Sequence, residues 1–197
     1  MSTTTESPDQ VLPAKPKRAD ARRNYEKVLA AARAAFAERG DATSLEEIAR
    51  RAEVGIGTLY RNFPNRQALL EAVYADEVES FCQTSSELRV LPPWDAFEAW
   101  VRRLVGYIVT KQALAQELME YVDRDAPLFM TCRGMLLEAG EPILTRAQEA
   151  GVVRSDTAFW DILAMFGGIV KIPGAQPDQI ELLVSIALDG LRRRDPA

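Results

Sequence analysis

Apolar side chains recur along this chain with the period of an α-helix. Tyr25, Val28, Leu29, Ala32, Ala35 and Phe36 fall at offsets 0, 3, 4, 7, 10 and 11, one stripe on a 3.6-residue period. Gly40 follows where a C-terminal cap is expected. Ser44-Leu45-Glu46-Glu47 has the S-x-x-E form of a capping box. There the serine oxygen accepts from the third helical N–H and Glu47 can reach back. It opens a short helix with Leu45, Ile48, Ala49 and Ala52 as its apolar positions. Glu53-Val54-Gly55 then reads as a tight turn, with Gly55 able to take positive φ. A second short helix spans Ile56 to Phe63, and Pro64-Asn65 breaks it. The next begins near Arg66, with Leu69, Leu70, Val73 and Tyr74 on one face.

The same period continues from Trp94. Trp94, Phe97, Trp100, Val101, Leu104, Val105 and Ile108 form a wide apolar face, and Ala113 to Val122 gives another helix. Leu128, Phe129, Cys132, Met135 and Leu136 predict a third, Ile143, Leu144 and Ala147 a fourth, and Gly151 punctuates. Phe159 to Val170 and Ile180 to Leu191 are the last two. No stretch alternates as a strand does, and no internal repeat is visible, so the fold class is all-α. In the last two helices the apolar positions wrap most of the circumference, which demands cover on nearly all sides. A partner subunit supplies that cover if the two helices join a four-helix bundle across a two-fold axis. The alternative places both inside the chain's own core.

Two short helices joined by a Gly-containing turn and braced by a long preceding helix follow the helix-turn-helix plan. The second helix of that plan enters the major groove. Charge supports the reading. The chain carries −5 overall, yet Lys15 to Arg66 holds 12 basic against 7 acidic residues. An acidic body with a basic head suits phosphate attraction at one end. Residues 1–20 lack periodicity, contain Pro8, Pro13 and Pro16, and end in the basic Lys15, Lys17 and Arg18. They read as a flexible arm, either a plain tail or one that touches phosphates or the minor groove.

Other chemistries narrow quickly. Histidine is absent, so no Ser-His-Asp triad, Cys-His pair or His-ligated zinc site can be built. No nucleophile constellation, cofactor motif or metal-ligand spacing stands out, and the expectation is a non-enzyme without cofactor or metal. Cys82 and Cys132 read as reduced thiols, the alternative being a redox pair. Glu117, Glu120, Asp123 and Asp125 read as a solvated acidic face, the alternative being a site for a cation. No apolar run reaches the roughly 18–20 residues of a membrane span, and the N-terminus lacks a signal-peptide core. A cytoplasmic protein with no membrane partner is expected.

The run from Thr43 to Leu70, T-S-L-E-E-I-A-R-R-A-E-V-G-I-G-T-L-Y-R-N-F-P-N-R-Q-A-L-L, resembles the TetR family of bacterial repressors. Its G-T-L-Y-R-x-F core, Gly57 to Phe63, is the specific part. The resemblance implies a helix-turn-helix DNA-binding domain at 21–75 and a larger helical domain for ligand binding and dimerisation at 76–197. It implies a homodimeric repressor that leaves a palindromic double-stranded operator when a small-molecule effector binds. The DNA contacts it implies are Ser44, Ile56, Gly57, Thr58, Tyr60, Arg61, Asn62 and Arg66, with Arg66 on a backbone phosphate. Leu59 and Phe63 pack the recognition helix. Asn62 departs from the His or Tyr usual there. Ile56 and Gly57 offer no side-chain hydrogen bond to a base, so specificity leans on Arg61, Tyr60, thymine-methyl contact and DNA shape. Trp100, Leu104, Tyr107, Tyr121, Phe129 and Met130 are candidates for a pocket taking an apolar or amphipathic effector, a plain dry core being the alternative. Ile162, Phe166, Ile169, Leu183, Ile186, Ala187 and Leu191 are candidates for the dimer interface. Two other functions fit the same pattern: a helical ligand-binding protein that no longer binds DNA, and a DNA-binding dimer without an effector.

Overall fold

The helical periods fold as α-helices throughout the computed structural model, which describes residues 12–193. In chain order these are α1 (Ala19–Arg39), α2 (Leu45–Arg51), α3 (Ile56–Asn62), α4 (Arg66–Glu87), α5 (Pro93–Leu118), α6 (Pro127–Glu149), α7 (Phe159–Val170) and α8 (Pro177–Leu191). Short 3-10 turns at Gly40–Ala42 and Leu88–Val90 follow α1 and α4. Among the described residues there is no strand, only an isolated antiparallel bridge between Val153 and Arg192. Half of the expected N-terminal arm lies outside the described residues. Of the remainder, Lys15 turns back onto α4, where its Nζ meets Asp76 Oδ1 at 3.0 Å and Glu79 Oε2 at 2.5 Å.

The chain divides into two compact units. One holds the described residues up to Glu79 together with Thr110–Arg133; the other holds Ser80–Val109 and the described residues from Gly134 on. Residues 110–133, expected with the C-terminal region, therefore group with the N-terminal helices. In the first unit all six apolar positions of the α1 stripe are buried, as are Ile48 and Ala49 of α2, Leu59 and Phe63, and Leu69, Leu70 and Val73 of α4. The Tyr25 and Phe63 rings lie 4.9 Å apart. The second unit closes around Phe97, Trp100, Val101, Leu104, Phe159, Phe166 and Leu188. Phe81 stacks on Tyr107 at 4.7 Å. Gly140 is required here, because a Cβ at that position would enter the rings of Trp100 and Phe159.

Two expectations change. The stripe at 94–108 and the first part of that at 113–122 join in the single helix α5, which ends at Leu118 and leaves 119–122 in a turn. Those at 128–136 and 143–147 join in α6, which continues through Pro142 although proline removes a helical N–H donor. The helix holds because Leu136, Ile143, Leu144 and Ala147 are all buried along it.

The turn between α2 and α3 also differs. Gly55 has φ −65° and is the N-cap of α3, and the positive φ, 55°, belongs to Glu53. Val54 N–H donates to Ala49 O at 3.0 Å and Glu53 N–H to Arg50 O at 3.2 Å. This pair of bonds is the Schellman closure of a helix end, which places the residue after the C-cap in the left-handed region. The end of α6 is built the same way, with Val152 N–H on Ala147 O at 3.1 Å, but there a glycine, Gly151 at φ 71°, takes the left-handed place. A side chain at such a position costs about 1 kcal/mol relative to glycine. Replacement Glu53→Gly is therefore expected to raise stability by roughly 0.5–1 kcal/mol in urea unfolding. A lower unfolding midpoint would show that Glu53 is held by something other than the helix closure.

Candidate nucleic-acid interface

α2 begins at Ser44, whose Oγ accepts the Glu47 N–H at 3.1 Å. Only that half of the expected capping box forms. The Glu47 carboxylate turns instead to Arg50, at 2.9 and 2.8 Å, and to Arg51 Nε at 2.8 Å. The Arg50 hydrogen bonds, then those of Arg51, hold the Glu47 carboxyl down at about 2. Arg51 also reaches Glu38 at 2.8 Å. Glu47 is thus neutralised along its own helix, and Ser44 remains exposed beside the first free N–H groups of α2.

α3 sorts its side chains by face. Leu59 is fully buried, and Phe63 just past its end is 1% exposed, as packing positions require. Ile56 and Tyr60 are 39% and 43% exposed, and Gly57 and Arg61 lie on the same open side. Arg61 is tethered to its own helix, Nε on Gly57 O at 3.2 Å and Nη2 on Thr58 Oγ1 at 2.9 Å. Asn62 Nδ2 donates to Thr58 O at 2.9 Å. The helix therefore presents a compact surface of one aliphatic chain, one phenol and one guanidinium. Among the described residues Arg61 makes no ion pair, whereas Arg50, Arg51, Arg33 and Lys15 do.

Arg66 is placed differently from the implied phosphate contact. It opens α4, after Asn65 Oδ1 has capped the Ala68 N–H at 2.8 Å. Its side chain turns inward and is only 20% exposed. Nε and Nη2 both donate to Glu117 Oε1, the former at 2.8 Å. Nη1 donates to Thr43 O, and Nη2 also to Gly40 O at 3.1 Å. The guanidinium carbon stands 5.0 Å over the Phe36 ring. Glu117, expected on a solvated acidic face, is 8% exposed, while Glu120, Asp123 and Asp125 do face solvent. Thr43 completes the arrangement, with Oγ1 bonded to Ala35 O at 2.9 Å. No spacing signal could have paired residues 66 and 117. The one hint was Glu117 following Leu114 by three residues, on the same side of α5.

The remaining candidates divide. Trp100 and Leu104 are packed into the second unit's core, with Tyr107 beside them, whereas Phe129 belongs to the first unit, against Tyr74 at 5.0 Å. Tyr121 and Met130 are 44% and 55% exposed. None of the six lines a cavity of the second unit formed by Cys82, Ser85, Ser86, Arg89, Ala139, Pro142, Ile143 and Arg146. Of the dimer candidates, Ile162, Phe166 and Leu191 fill the chain's own core, Ile169, Leu183 and Ala187 are half-buried, and Ile186 is 57% exposed. The exposed apolar side chains include Leu182 and Trp160, which the sequence reading did not single out for this role. Burial pushes the Cys132 thiol up to about 11, so it stays protonated. Among the described residues no group of three Cys, Asp or Glu is placed to hold a metal ion, and no helix is long and apolar enough to cross a membrane.

Known proteins share this arrangement. Residues 28–73 match the model of the bacterial regulatory proteins of the tetR family, and residues 92–193 match that of the SbtR-like transcriptional regulator C-terminal domain. The TetR transcriptional regulator SCO0520 from Streptomyces coelicolor is similar at 39% identity and TM-score 0.74, over 87% of this chain and 99% of that one. A TetR transcription regulatory protein from Mycobacterium vanbaalenii is similar at 33% identity and TM-score 0.73, over 90% of this chain and 99% of that one. The Transposon Tn10 TetC protein of Escherichia coli matches over 89 residues at 30% identity, 43% of this chain, so the match spans less than half the length, 44%, of that curated relative. With the helix-turn-helix, the capped α2 and the C-terminal helices all matched over nearly the whole chain, the protein belongs to the TetR family of bacterial transcriptional regulators.

Proposed function

We propose that this regulator is a homodimeric repressor that holds a palindromic operator through paired α3 helices and releases it when a small molecule binds the unit formed by 80–109 and 134–193. The observation that carries the reading is the open face of α3. Ile56, Tyr60 and Arg61, which makes no ion pair among the described residues, are exposed there, and Glu47 of α2 is neutralised by its own arginines. A face of this kind fits the major groove: Arg61 reads guanine, Ile56 meets thymine methyls, and Tyr60 and Ser44 donate to phosphate or base edges. Thr58 and Asn62 support Arg61 and the helix end. Arg66 serves as a positioning residue that holds the Thr43 carbonyl, next to Ser44, and α5.

Dimerisation is supported by α7 and α8, which leave Trp160, Leu182 and Ile186 exposed at 44%, 60% and 57%. Leu182 and Ile186 share a stripe with the half-buried Leu183 beside it, and an isologous contact would cover both copies at once. Release is supported by chain continuity. α5 contributes residues 93–109 to the ligand-binding unit and residues 110–118, with Glu117, to the unit that carries α3. A ligand that favours a different setting of α5 would be felt at Arg66, in proportion to its differential affinity for the two settings.

Replacement Arg61→Ala is expected to weaken operator binding by roughly ten- to a hundredfold, the value of about 1–3 kcal/mol for one bidentate base contact. Gel shifts at two salt concentrations measure it, and unchanged affinity would remove α3 as the reading element. Glu117→Gln is expected to lower stability in urea by about 1–3 kcal/mol, since it leaves a largely buried guanidinium without its counter-charge. An unchanged midpoint would show that the Arg66 pair holds nothing together. Ile186→Glu is expected to turn a dimer into a monomer in sedimentation; a persistent dimer would place the interface elsewhere.

A further inference from the structure

The second unit contains a cavity of about 230 Å³ whose lining has a definite chemistry. One wall comes from the end of α4 and the turn after it: Cys82, Ser85, Ser86 and Arg89. The other comes from α6: Ala139, Pro142, Ile143 and Arg146. Two guanidiniums line it and no carboxylate does. Neither arginine is ion-paired among the described residues, in a chain whose other arginines mostly are.

The polar groups are already partly committed, and that fixes what remains. Ser85 Oγ donates to Phe81 O at 3.3 Å and Ser86 Oγ to Gln83 O at 2.8 Å, so their hydrogens are directed to their own helix. Cys82 Sγ donates to Met135 O at 3.4 Å. Arg146 Nη1 and Nη2 hold the carbonyls of Arg89 and Leu91 at 2.7 and 3.0 Å. Those bonds fix the Arg146 guanidinium in place and tie it to the turn that carries Arg89. Its Nε–H is buried without an acceptor. The donors available to a guest are therefore guanidinium N–H groups, and the opposite wall of Ala139, Pro142 and Ile143 is apolar.

We infer that this cavity binds a small organic carboxylate, its charged end on Arg89 and Arg146 and its hydrocarbon part on Ala139, Pro142 and Ile143. Two guanidiniums without a lining counter-ion, that of Arg89 making no hydrogen bond or ion pair among the described residues, match a carboxylate in charge and in the planar geometry of its oxygens. The volume sets the size. A cavity of about 150 Å³ holds benzene, so this one takes about one ring with a short substituent. The inference rests on the proposed control by an effector, and it names the chemical class of that effector. The cavity wall and Arg66 lie on one continuous helix, α4, so a ligand here bears on the element that anchors the DNA-binding unit.

Benzoate is the probe, with benzyl alcohol as its neutral counterpart and the full chain as the target. Benzoate is expected to raise the thermal midpoint saturably by several degrees, because it binds the native state. Benzyl alcohol is expected to leave it unchanged. Arg89→Gln, at an exposed position, is expected to fold normally and to weaken benzoate binding at least tenfold in calorimetry. Ala139→Leu, which fills the apolar wall, is expected to abolish the shift with Arg89 intact. Equal shifts from the two probes, full binding by Arg89→Gln, or no shift from benzoate at 10-fold millimolar excess would each overturn the carboxylate site. Operator gel shifts on the same samples separate the two readings. Benzoate binding that leaves the operator complex intact would keep the site and remove effector release. Specific operator binding without any benzoate response would keep the regulator and remove the site.

Discussion

The Arg66 guanidinium holds together three stretches of chain far apart in sequence. It binds Glu117 from α5, the carbonyls of Gly40 and Thr43 from the connection between α1 and α2, and the face of Phe36. Arginine suits this place because its planar fork offers five donors in fixed directions and its charge is permanent. The pair is largely withdrawn from water, and the attraction is correspondingly less screened than at a surface. Each partner also makes the other necessary: a lone Glu117 or a lone Arg66 would be a buried charge with nothing to oppose it. Because the Thr43 carbonyl directly precedes Ser44, the start of α2 is fixed by the same guanidinium that grips α5. The surface proposed to face DNA is joined to that anchor through the start of α2.

The charge arrangement of the head explains how an acidic chain can approach DNA. Most basic residues of this unit are engaged internally: Lys15 and Arg33 on the acidic run Asp76, Glu77 and Glu79, and Arg50 and Arg51 on Glu47 and Glu38. These pairs cancel acidic groups that would repel phosphate more than they provide free positive charge. Arg61 is left as a cation directed by helix carbonyl and hydroxyl contacts, on a helix with no acidic residue of its own. On the proposed reading, sequence discrimination comes from a small number of well-placed groups and the long-range attraction is modest. The left-handed Glu53 belongs to the same economy of structure. It closes α2 so sharply that α3 begins three residues later, at some local conformational cost.

Regulation, on this view, uses helices that are common to both units. α4 carries Arg66 at its start and lines the carboxylate cavity at its end, and α5 carries core residues Trp100 and Leu104 before it reaches Glu117. Helices resist bending and cores resist partial displacement, so a change at one end of such an element reaches the other as a shift between discrete packings. Arg146 is held by the carbonyls of Arg89 and Leu91 in the turn after α4, which makes that turn the part most directly exposed to a bound anion.

The amino-acid sequence determined the elements of this protein through local rules. The α1 stripe, the Ser44 cap, the break at Pro64-Asn65, and the packing roles of Leu59 and Phe63 all follow from periodicity, capping and turn chemistry within a few residues. The G-T-L-Y-R-x-F run fixed the family for the same reason, since its residues act as a contiguous unit. What depended on distant partners was not legible. Glu47 is drawn to Arg50 and Arg51 and does not complete its capping box, because two cations outcompete one backbone N–H. Helix α6 passes through Pro142 because burial on either side outweighs the lost hydrogen bond. Ile162, Phe166 and Leu191 turn into the chain's own core, and Leu182 and Trp160 are left outside, because helices apolar on most sides carry no mark of which side meets which neighbour. The cavity at Arg89 and Arg146 and the Arg66–Glu117 pair join residues more than fifty positions apart. Only tertiary structure decides such meetings, since side-chain charge and shape specify what a residue can bind and packing alone specifies what it finds beside it.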